Sequence, residues 1–342
     1  MSATSERPRL DTAARHDTGS MVRPHHRSLP MMVGTRASPL ALYQTRHFLS
    51  LITRFCPLIR GQEAFQEHQI ITSGDAIQSR RLAEIGGKGL FAKEIHEALL
   101  DGRCDFAVHS LKDLETELPP NIVLACVLER EDPRDAIILG AGMEDAIDPS
   151  NPLAALPQGA LIGTSSVRRQ AQLLAARPDL RIGMLRGNVQ TRLSRVHGGH
   201  VSATLLAIAG LKRLEMEREA DLVLEPEIMV PAACQGIIGV TVREDDDELR
   251  EMLSAIEHKP SRIVADAERA LLGALDGSCR TPIGAYARLL PDNQLRLTGL
   301  IARADGSFIL KREVVGHARD AALLGRELGL ELGADSPADV FG

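Results

Sequence analysis

The sequence has no Trp and only two Tyr among its 342 residues, and aromatic residues make up 3% of the total. Proteins that bind single-stranded nucleic acid stack bases on aromatic side chains, so this scarcity argues against that class. A formal net charge of -6 also argues against a general binder of phosphate backbones, which needs an excess of Lys and Arg. We therefore expect no nucleic-acid partner.

Long apolar runs are lacking as well. No stretch could cross the apolar core of a bilayer, about 30 Å thick, so we expect no membrane partner. Residues 1–28 are rich in Ser, Thr, Arg, His and Pro, and they lack the apolar segment of a secretory signal. We predict that they form a disordered extension.

Cysteine is scarce and scattered. The five cysteines form no C-x-x-C pattern and lie far apart, at Cys56, Cys104, Cys126, Cys234 and Cys279. This spacing fits neither a zinc site nor a disulfide framework. We therefore expect no metal and a reducing, cytoplasmic location.

The richest pattern lies at residues 85–119, which read IGGKGLFAKEIHEALLDGRCDFAVHSLKDLETELP. Glycines flank Lys88, an amphipathic helical run follows, and a short apolar strand comes after Gly102. We expect this strand to deliver His109, Ser110, Lys112 and Asp113 to its carboxyl end, where ligands bind in open α/β sheets. The alternative interpretation is a polar, solvated loop.

A second part of the chain repeats the first and is strongly basic. The order strand, Gly-Thr, Ser, helix occurs at residues 33–39 and again at 161–169, which predicts two similar α/β lobes. Between residues 160 and 214 the only acidic residue is Asp179, whereas the basic ones are Arg168, Arg169, Arg177, Arg181, Arg186, Arg192, Arg195, Lys212 and Arg213.

Arg168 and Arg169 fall in the first turn of a predicted helix, where the helix dipole disfavours a cation by about 0.3–1 kcal/mol. An anion bound between the helix N-terminus and both guanidiniums would favour them there. The alternative is that these arginines pair with acids from another domain.

The last part of the chain has a different predicted order of helices and strands. A helix predicted from Ser261, as its N-cap, to Leu275 precedes a run of alternating strands, which predicts a small α+β domain. Cys279 lies between them in a Gly/Ser/Pro-rich loop, and the adjacent Arg280 favours its thiolate. It is a candidate nucleophile, and Cys234, on a bend, is its rival.

Three motifs, GGKGLF, AVHSLKDL and LDGSCRTPIGAYA, resemble the porphobilinogen deaminase (hydroxymethylbilane synthase) family of tetrapyrrole synthesis. The resemblance implies a transferase that condenses four porphobilinogen molecules, with loss of ammonia, on a covalently bound dipyrromethane cofactor. It also implies a monomer with two periplasmic-binding-protein-like α/β lobes around a cleft, plus a small α+β C-terminal domain. The expected units are residues 29–130 with 236–256, residues 134–232, and residues 259–342.

The same resemblance assigns roles to residues. Cys279 would carry the dipyrromethane through a thioether. The expected catalytic residues are Asp113, Lys112 and Asp75. The other expected cofactor-binding residues are Arg168, Arg169, Ser110, Thr164, Ser166 and Lys88, and the expected substrate-binding residues are Arg36, Ser38, Arg186, Arg192 and Gln235.

Two other functions remain open at this stage. A non-catalytic binder of small carboxylates could use the same lobed fold and would leave Cys279 unmodified. A nucleic-acid or phosphopeptide binder could use the basic lobe and would show a strong salt dependence.

The loop around Cys279 yields the first testable prediction. Peptide mapping of the purified protein should place an adduct of two-pyrrole size between residues 277 and 282, because Cys279 is the cysteine in an accessible, thiolate-favouring context. Cys279→Ser should remove both the adduct and most of the activity. An unmodified Cys279 in active protein, or an adduct on Cys234, would contradict the assignment.

Overall fold

The computed structural model of the protein describes residues 29–56, 63–76, 89–143, 148, 150–277 and 281–341. The predicted extension at residues 1–28 lies outside these ranges, as do Lys88 and Cys279. Within them, no helix is long and apolar enough to cross a membrane.

The strands of the described residues are β1 (Met31–Arg36), β2 (Phe65–Ile70), β3 (Phe106–Ser110), β4 (Ile122–Val127), β5 (Asp135–Leu139), β6 (Leu161–Gly163), β7 (Arg181–Gly183), β8 (Ala203–Ala207), β9 (Leu222–Leu224), β10 (Ile238–Arg243), β11 (Ile283–Leu290), β12 (Gln294–Ala302) and β13 (Ile309–His317). The helices are α1 (Pro39–Phe55), α2 (Ser73–Ala76), α3 (Lys93–Leu100), α4 (Val167–Ala176), α5 (Val189–His197), α6 (Ile208–Arg213), α7 (Asp247–Ser254), α8 (Lys259–Ala274) and α9 (Ala321–Ala334).

Two five-stranded sheets share one topology. The first has the order β2-β1-β3-β10-β4 and the second β7-β6-β8-β5-β9. In each sheet the fourth strand runs antiparallel to both of its neighbours. This strand is the first one after a crossing: the chain enters the second lobe at β5 and returns to the first lobe at β10. The predicted pair of similar α/β lobes is therefore confirmed.

Side-chain caps begin the helices that follow β1 in the first lobe and β6 in the second. The Ser38 hydroxyl accepts a hydrogen bond from the Ala41 N–H, and Pro39 opens α1. The Ser166 hydroxyl likewise accepts one from the Arg169 N–H at the start of α4. Such caps satisfy backbone donors that a helix leaves unpaired. They also place polar residues at the strand ends that face the other lobe.

The C-terminal unit is an antiparallel meander, β11-β12-β13, covered by α8 and α9. The predicted two-lobed architecture with a small α+β unit is confirmed, whereas its residue limits stay predictions. One local expectation was wrong: His258, not Ser261, stands at the N-cap of α8. The Ser261 hydroxyl instead accepts a hydrogen bond from the Arg130 N–H in the first crossing.

A buried ion pair joins this unit to both crossings. Glu268 of α8 is fully buried, and its Oε1 lies 2.6 Å from Arg130 Nη1. The same carboxylate accepts the backbone N–H groups of Ala287 and Cys234, and Arg130 Nε donates to the Gln235 carbonyl oxygen. Three separate parts of the chain therefore depend on one carboxylate.

We expect Glu268→Gln to lower the free energy of unfolding by about 3 kcal/mol or more, because removing one partner of a buried ion pair leaves a charge uncompensated. The new amide group would also face donors from Arg130, Ala287 and Cys234. Chemical denaturation would measure the loss. The control is Asp339→Asn, which removes an exposed pair with Arg303 and should change little; equal effects would contradict the prediction.

Candidate active site

A cleft of about 500 Å³ lies between the two lobes, and the C-terminal unit contributes Leu272, Thr281 and Ile283 to its wall. The expected site residues that line it are Arg36, Ser38, Asp75, Ser110, Lys112, Asp113, Ser166, Arg168, Arg169, Arg186, Arg192 and Gln235. Lys88 and Cys279 lie outside the described residues, although Thr281, two positions after Cys279, reaches the cleft.

Thr164 is the described member of the expected set that does not line the cleft. It is buried, and its hydroxyl accepts a hydrogen bond from the Ser166 N–H. Its position supports the turn that begins α4. A direct contact between Thr164 and a ligand in the cleft is therefore not supported by this geometry.

On the first lobe, Arg36 at the end of β1 bridges two carboxylates. Its Nε lies 3.0 Å from Asp75 Oδ2, and its Nη1 lies 3.5 Å from Asp113 Oδ2. The guanidinium also stacks over the Phe91 ring at 4.4 Å. Burial alone would raise the pKa of Asp75, but the hydrogen bond and charge of Arg36, with help from Thr72, lower it below its usual value. Asp75 is thus ionised at neutral pH.

The turn after β3 presents Lys112 and Asp113, as the sequence predicted, because the strand gives way to a 3-10 turn at Leu111–Asp113. His109 also lines the cleft, although it lies within β3 and is largely buried, with its Nε2 2.8 Å from the Thr241 hydroxyl. Sequence patterns gave no signal for Gln44 of α1, a buried residue whose Nε2 donates a hydrogen bond to the Ser110 hydroxyl at 2.8 Å.

Lys112 lies half-buried among charged groups. Burial lowers the pKa of its ammonium to about 8, with Arg169 and Arg168 acting in the same direction and Asp113 and Asp135 opposing it. Its Nζ lies 3.2 Å from Gln235 Oε1. Below about pH 8 the ammonium is protonated and adds to the positive potential of the cleft.

Arg168 and Arg169 already pair with an acid of the protein, so their place at a helix start does not by itself require an external anion. Both are buried, and they pair with Asp135 at Nη2–Oδ2 and Nη2–Oδ1 distances of 2.8 and 2.7 Å. Their remaining contacts are to the carbonyl oxygens of Val230 and Leu205. The acid is in β5 of the same lobe, and a charge count limited to residues 160–214 does not include it.

Arg186 and Arg192 also line the cleft from the second lobe. Arg186 Nη2 donates to the Gly74 carbonyl oxygen across the cleft, at 2.9 Å. Arg192 Nε donates to the Gly187 carbonyl oxygen, and no carboxylate of the described residues lies within ion-pair distance of Arg192. Burial lowers its pKa to about 10; the charges of Arg169 and Arg186 add to that effect, and the charge of Asp113 opposes it. The cleft therefore holds a guanidinium that favours an anionic ligand.

The fold and the cleft define a two-lobed α/β protein whose site presents cations from both lobes to an anionic ligand. Residues 31–251 match the family model for the porphobilinogen deaminase, dipyromethane cofactor binding domain, and residues 263–334 match that for the porphobilinogen deaminase, C-terminal domain. This chain belongs to the porphobilinogen deaminase family.

Curated relatives agree over nearly the whole chain. The porphobilinogen deaminase of Paracoccus denitrificans is 46% identical over 91% of this chain and 96% of its own. That of Sorangium cellulosum is 45% identical over 88% of this chain and 98% of its own. A solved structure, the substrate binding protein of an amino acid ABC transporter, matches 66% of this chain and 90% of its own at 12% identity, with a TM-score of 0.35.

The incompletely balanced charge of Arg192 gives a prediction about stability. A pKa lowered from 12.5 to about 10 means that the protein destabilises the charged guanidinium of Arg192 by roughly 3 kcal/mol relative to water. In buffer of low anion content, Arg192→Leu should therefore raise the free energy of unfolding by about 1–3 kcal/mol, after the lost Gly187 contact is subtracted. Added sulfate should stabilise the parent protein more than this variant.

Arg195→Leu is the matched control, because Arg195 lies three residues further along α5 and is exposed. It should change neither the stability nor the response to sulfate. Thermal unfolding with and without sulfate measures both quantities. A loss of stability in Arg192→Leu, or equal sulfate responses in all three proteins, would contradict an anion-seeking Arg192.

Proposed function

We propose that this protein condenses four porphobilinogen molecules head to tail, with loss of ammonia, into the linear tetrapyrrole hydroxymethylbilane. The growing chain would be held on a dipyrromethane linked to Cys279 by a thioether. The observation that carries the proposal is the cleft itself, in which Arg192 of the second lobe lines the same cavity as Asp75 and Asp113 of the first lobe. We further propose that the protein acts as a monomer in the cytoplasm.

Porphobilinogen carries an acetate and a propionate, so a chain of linked pyrroles is a polycarboxylate. Cations on both walls suit such a ligand, since hydrogen bonds between guanidinium and carboxylate are among the strongest in proteins. We assign carboxylate binding to Arg36, Arg186 and Arg192, with Ser38 and Gln235 in support. Arg168 and Arg169 would add their remaining N–H donors, although Asp135 already balances one of their two charges.

The residues present also fit the cofactor. Thr281, two positions after Cys279 in the sequence, lies in the cleft wall. Ser110, Ser166 and Lys112 stand on the same cleft with hydroxyl and ammonium donors suited to carboxylates. When bound, the dipyrromethane would supply the free pyrrole end to which the first substrate is added. The positions of Lys88 and Cys279 themselves stay predictions.

Asp113 is the carboxylate that we assign to the chemical step. A positive charge builds on a pyrrole nitrogen as ammonia leaves, and a preorganised anion stabilises such a charge most strongly in a site shielded from water. Arg36 holds Asp113 at the end of β3 without full burial, so its second oxygen can face a ligand. Asp75, fixed to the same guanidinium, would share this role, and Lys112 would bind the leaving or entering carboxylated ring.

The alternative, a non-catalytic binder of small carboxylates, is not favoured by membership of the family. Such a protein would need the arginines of the cleft but neither a modified Cys279 nor an acidic group at position 113. The two proposals therefore differ in what happens when Asp113 loses its charge.

Asp113→Asn should keep the fold and reduce the rate of ammonia release by about 10²-fold or more, because the lost charge acts mainly in the transition state. Asp113→Glu should retain part of the activity, since the charge remains but is displaced. Single-turnover ammonia release, together with the intact mass of the pyrrole-loaded chain, would follow each step. The arginines should keep substrate binding nearly unchanged.

Glu117→Gln is the matched control, because Glu117 is exposed and lies on the same segment. Glu115 is a poor control despite its proximity, since its carboxylate lies against Gly89 and its carbonyl oxygen accepts from Arg269. Normal turnover in Asp113→Asn, or an equal loss in Glu117→Gln, would show that the catalytic carboxylate lies elsewhere.

A further inference from the structure

Asp135 is a buried carboxylate to which the sequence assigned no role. It is the first residue of β5, directly after the first crossing, and its exposed fraction is 0%. Its Oδ2 accepts from Arg168 Nη2, and its Oδ1 accepts from Arg169 Nη2 and from Gln235 Nε2 at 2.8 Å. Three side chains that line the cleft are thus held by one residue that does not line it.

The contacts of Gln235 extend this arrangement to Lys112. An ionised carboxylate only accepts hydrogen bonds, so Asp135 obliges the amide nitrogen of Gln235 to face it. The Pro133 carbonyl oxygen, 2.7 Å from the same nitrogen, favours the same orientation. The amide oxygen must then point the other way, where Lys112 Nζ donates to it at 3.2 Å.

We propose that Asp135 is a positioning residue of the cleft, which fixes the guanidiniums of Arg168 and Arg169 and, through Gln235, the ammonium of Lys112 for the carboxylates of an incoming ligand. Among the described residues, the contacts with Asp135, Val230 and Leu205 leave each guanidinium with further N–H groups for a ligand. Without Asp135 the two guanidiniums would repel each other at close range inside the protein, where screening by solvent is weak.

The charges around Lys112 support this role, and they make the pKa of Lys112 a measure of it. The charged groups that act on Lys112 are Asp113 on its own turn, Asp135 in β5, and Arg168 and Arg169 in α4. Burial lowers the Lys112 pKa to about 8, and Asp135 opposes that effect. Removing the charge of Asp135 should therefore lower the pKa further, so that the ammonium is lost nearer to neutral pH.

The first test follows Lys112 directly and does not depend on the proposed function. Competitive acetylation over a pH series, with peptide mapping, gives the midpoint at which Lys112 loses its proton. We expect a midpoint near pH 8 in the parent protein, a clearly lower midpoint in Asp135→Asn, and recovery toward the parent value in Asp135→Glu.

Asp132→Asn is the matched control, since Asp132 lies in the same crossing and pairs with Arg134 instead. It should leave the Lys112 midpoint unchanged. If Asp135→Asn does not fold, Gln235→Met tests the same link without leaving a buried charge unpaired, and it should also lower the midpoint. An unchanged midpoint in the folded Asp135 or Gln235 variant would overturn the proposal.

The second test rests on the proposed function. In folded Asp135→Asn, the KM for porphobilinogen should rise about tenfold or more, because displaced guanidiniums bind carboxylates poorly. The alkaline limit of kcat/KM should also move to lower pH. A purely structural residue would reduce the yield of folded protein and its thermal stability but leave KM and this limit unchanged, which would overturn the proposal.

The two tests fail separately. If the parent protein does not consume porphobilinogen, the proposed function is wrong, while the Lys112 titration still decides whether Asp135 positions the cluster. If the parent protein is active and the titration shows no effect of Asp135, the function stands and the positioning role does not.

Discussion

Two buried carboxylates, Asp135 and Glu268, hold together the places where the chain passes between its lobes. Glu268 binds Arg130 of the first crossing and the Cys234 N–H of the second. Asp135 binds Gln235 of the second crossing and the arginines of α4. A charge removed from water is costly unless it is paired and hydrogen-bonded, and both carboxylates accept several donors. The lobes, the C-terminal unit and the cleft walls all meet at this pair of acids.

This arrangement lets the cleft hold many cations at little cost to the fold. Arg36 is balanced by Asp75 and Asp113, and Asp135 balances part of the charge on α4. Arg192 is also removed from water, but no carboxylate of the described residues lies within ion-pair distance of it, and Asp113 compensates its charge only in part. Affinity for anions is thus concentrated at a few positions, while the other arginines are fixed in orientation by acids of the protein itself.

Much of the fold was predictable from local patterns. Ser38 and Pro39 mark the start of α1, and the repeated Gly-Thr-Ser pattern marks the matching turn before α4, because caps and turns depend on neighbouring residues only. The position of Lys112 and Asp113 after a buried strand follows from the same local logic. Motif resemblance added the roles of residues whose chemistry is otherwise ambiguous.

What the sequence could not show are contacts between distant residues. Asp135 lies more than thirty positions from the arginines it holds, and Gln44 lies 66 positions from Ser110. His109 lines the cleft, and its hydrogen-bond partner Thr241 lies 132 positions away. Ser261 has the chemistry of an N-cap but serves Arg130 instead. Local propensity cannot rank such partners, since only the folded chain brings them together.

The return of the chain to the first lobe at β10 has a consequence for synthesis of the chain. The central pairing of the first lobe joins β3 to β10, for example Val108 to Val240, whereas the second lobe is built from one continuous segment, β5 to β9. As the chain leaves the ribosome, the second lobe can complete its sheet first. The sheet of the first lobe stays incomplete until β10 is made, because β10 lies between β3 and β4. The first lobe, although its synthesis begins earlier, is therefore completed last. Until β10 arrives, the edges of β3 and β4 that it will join are exposed.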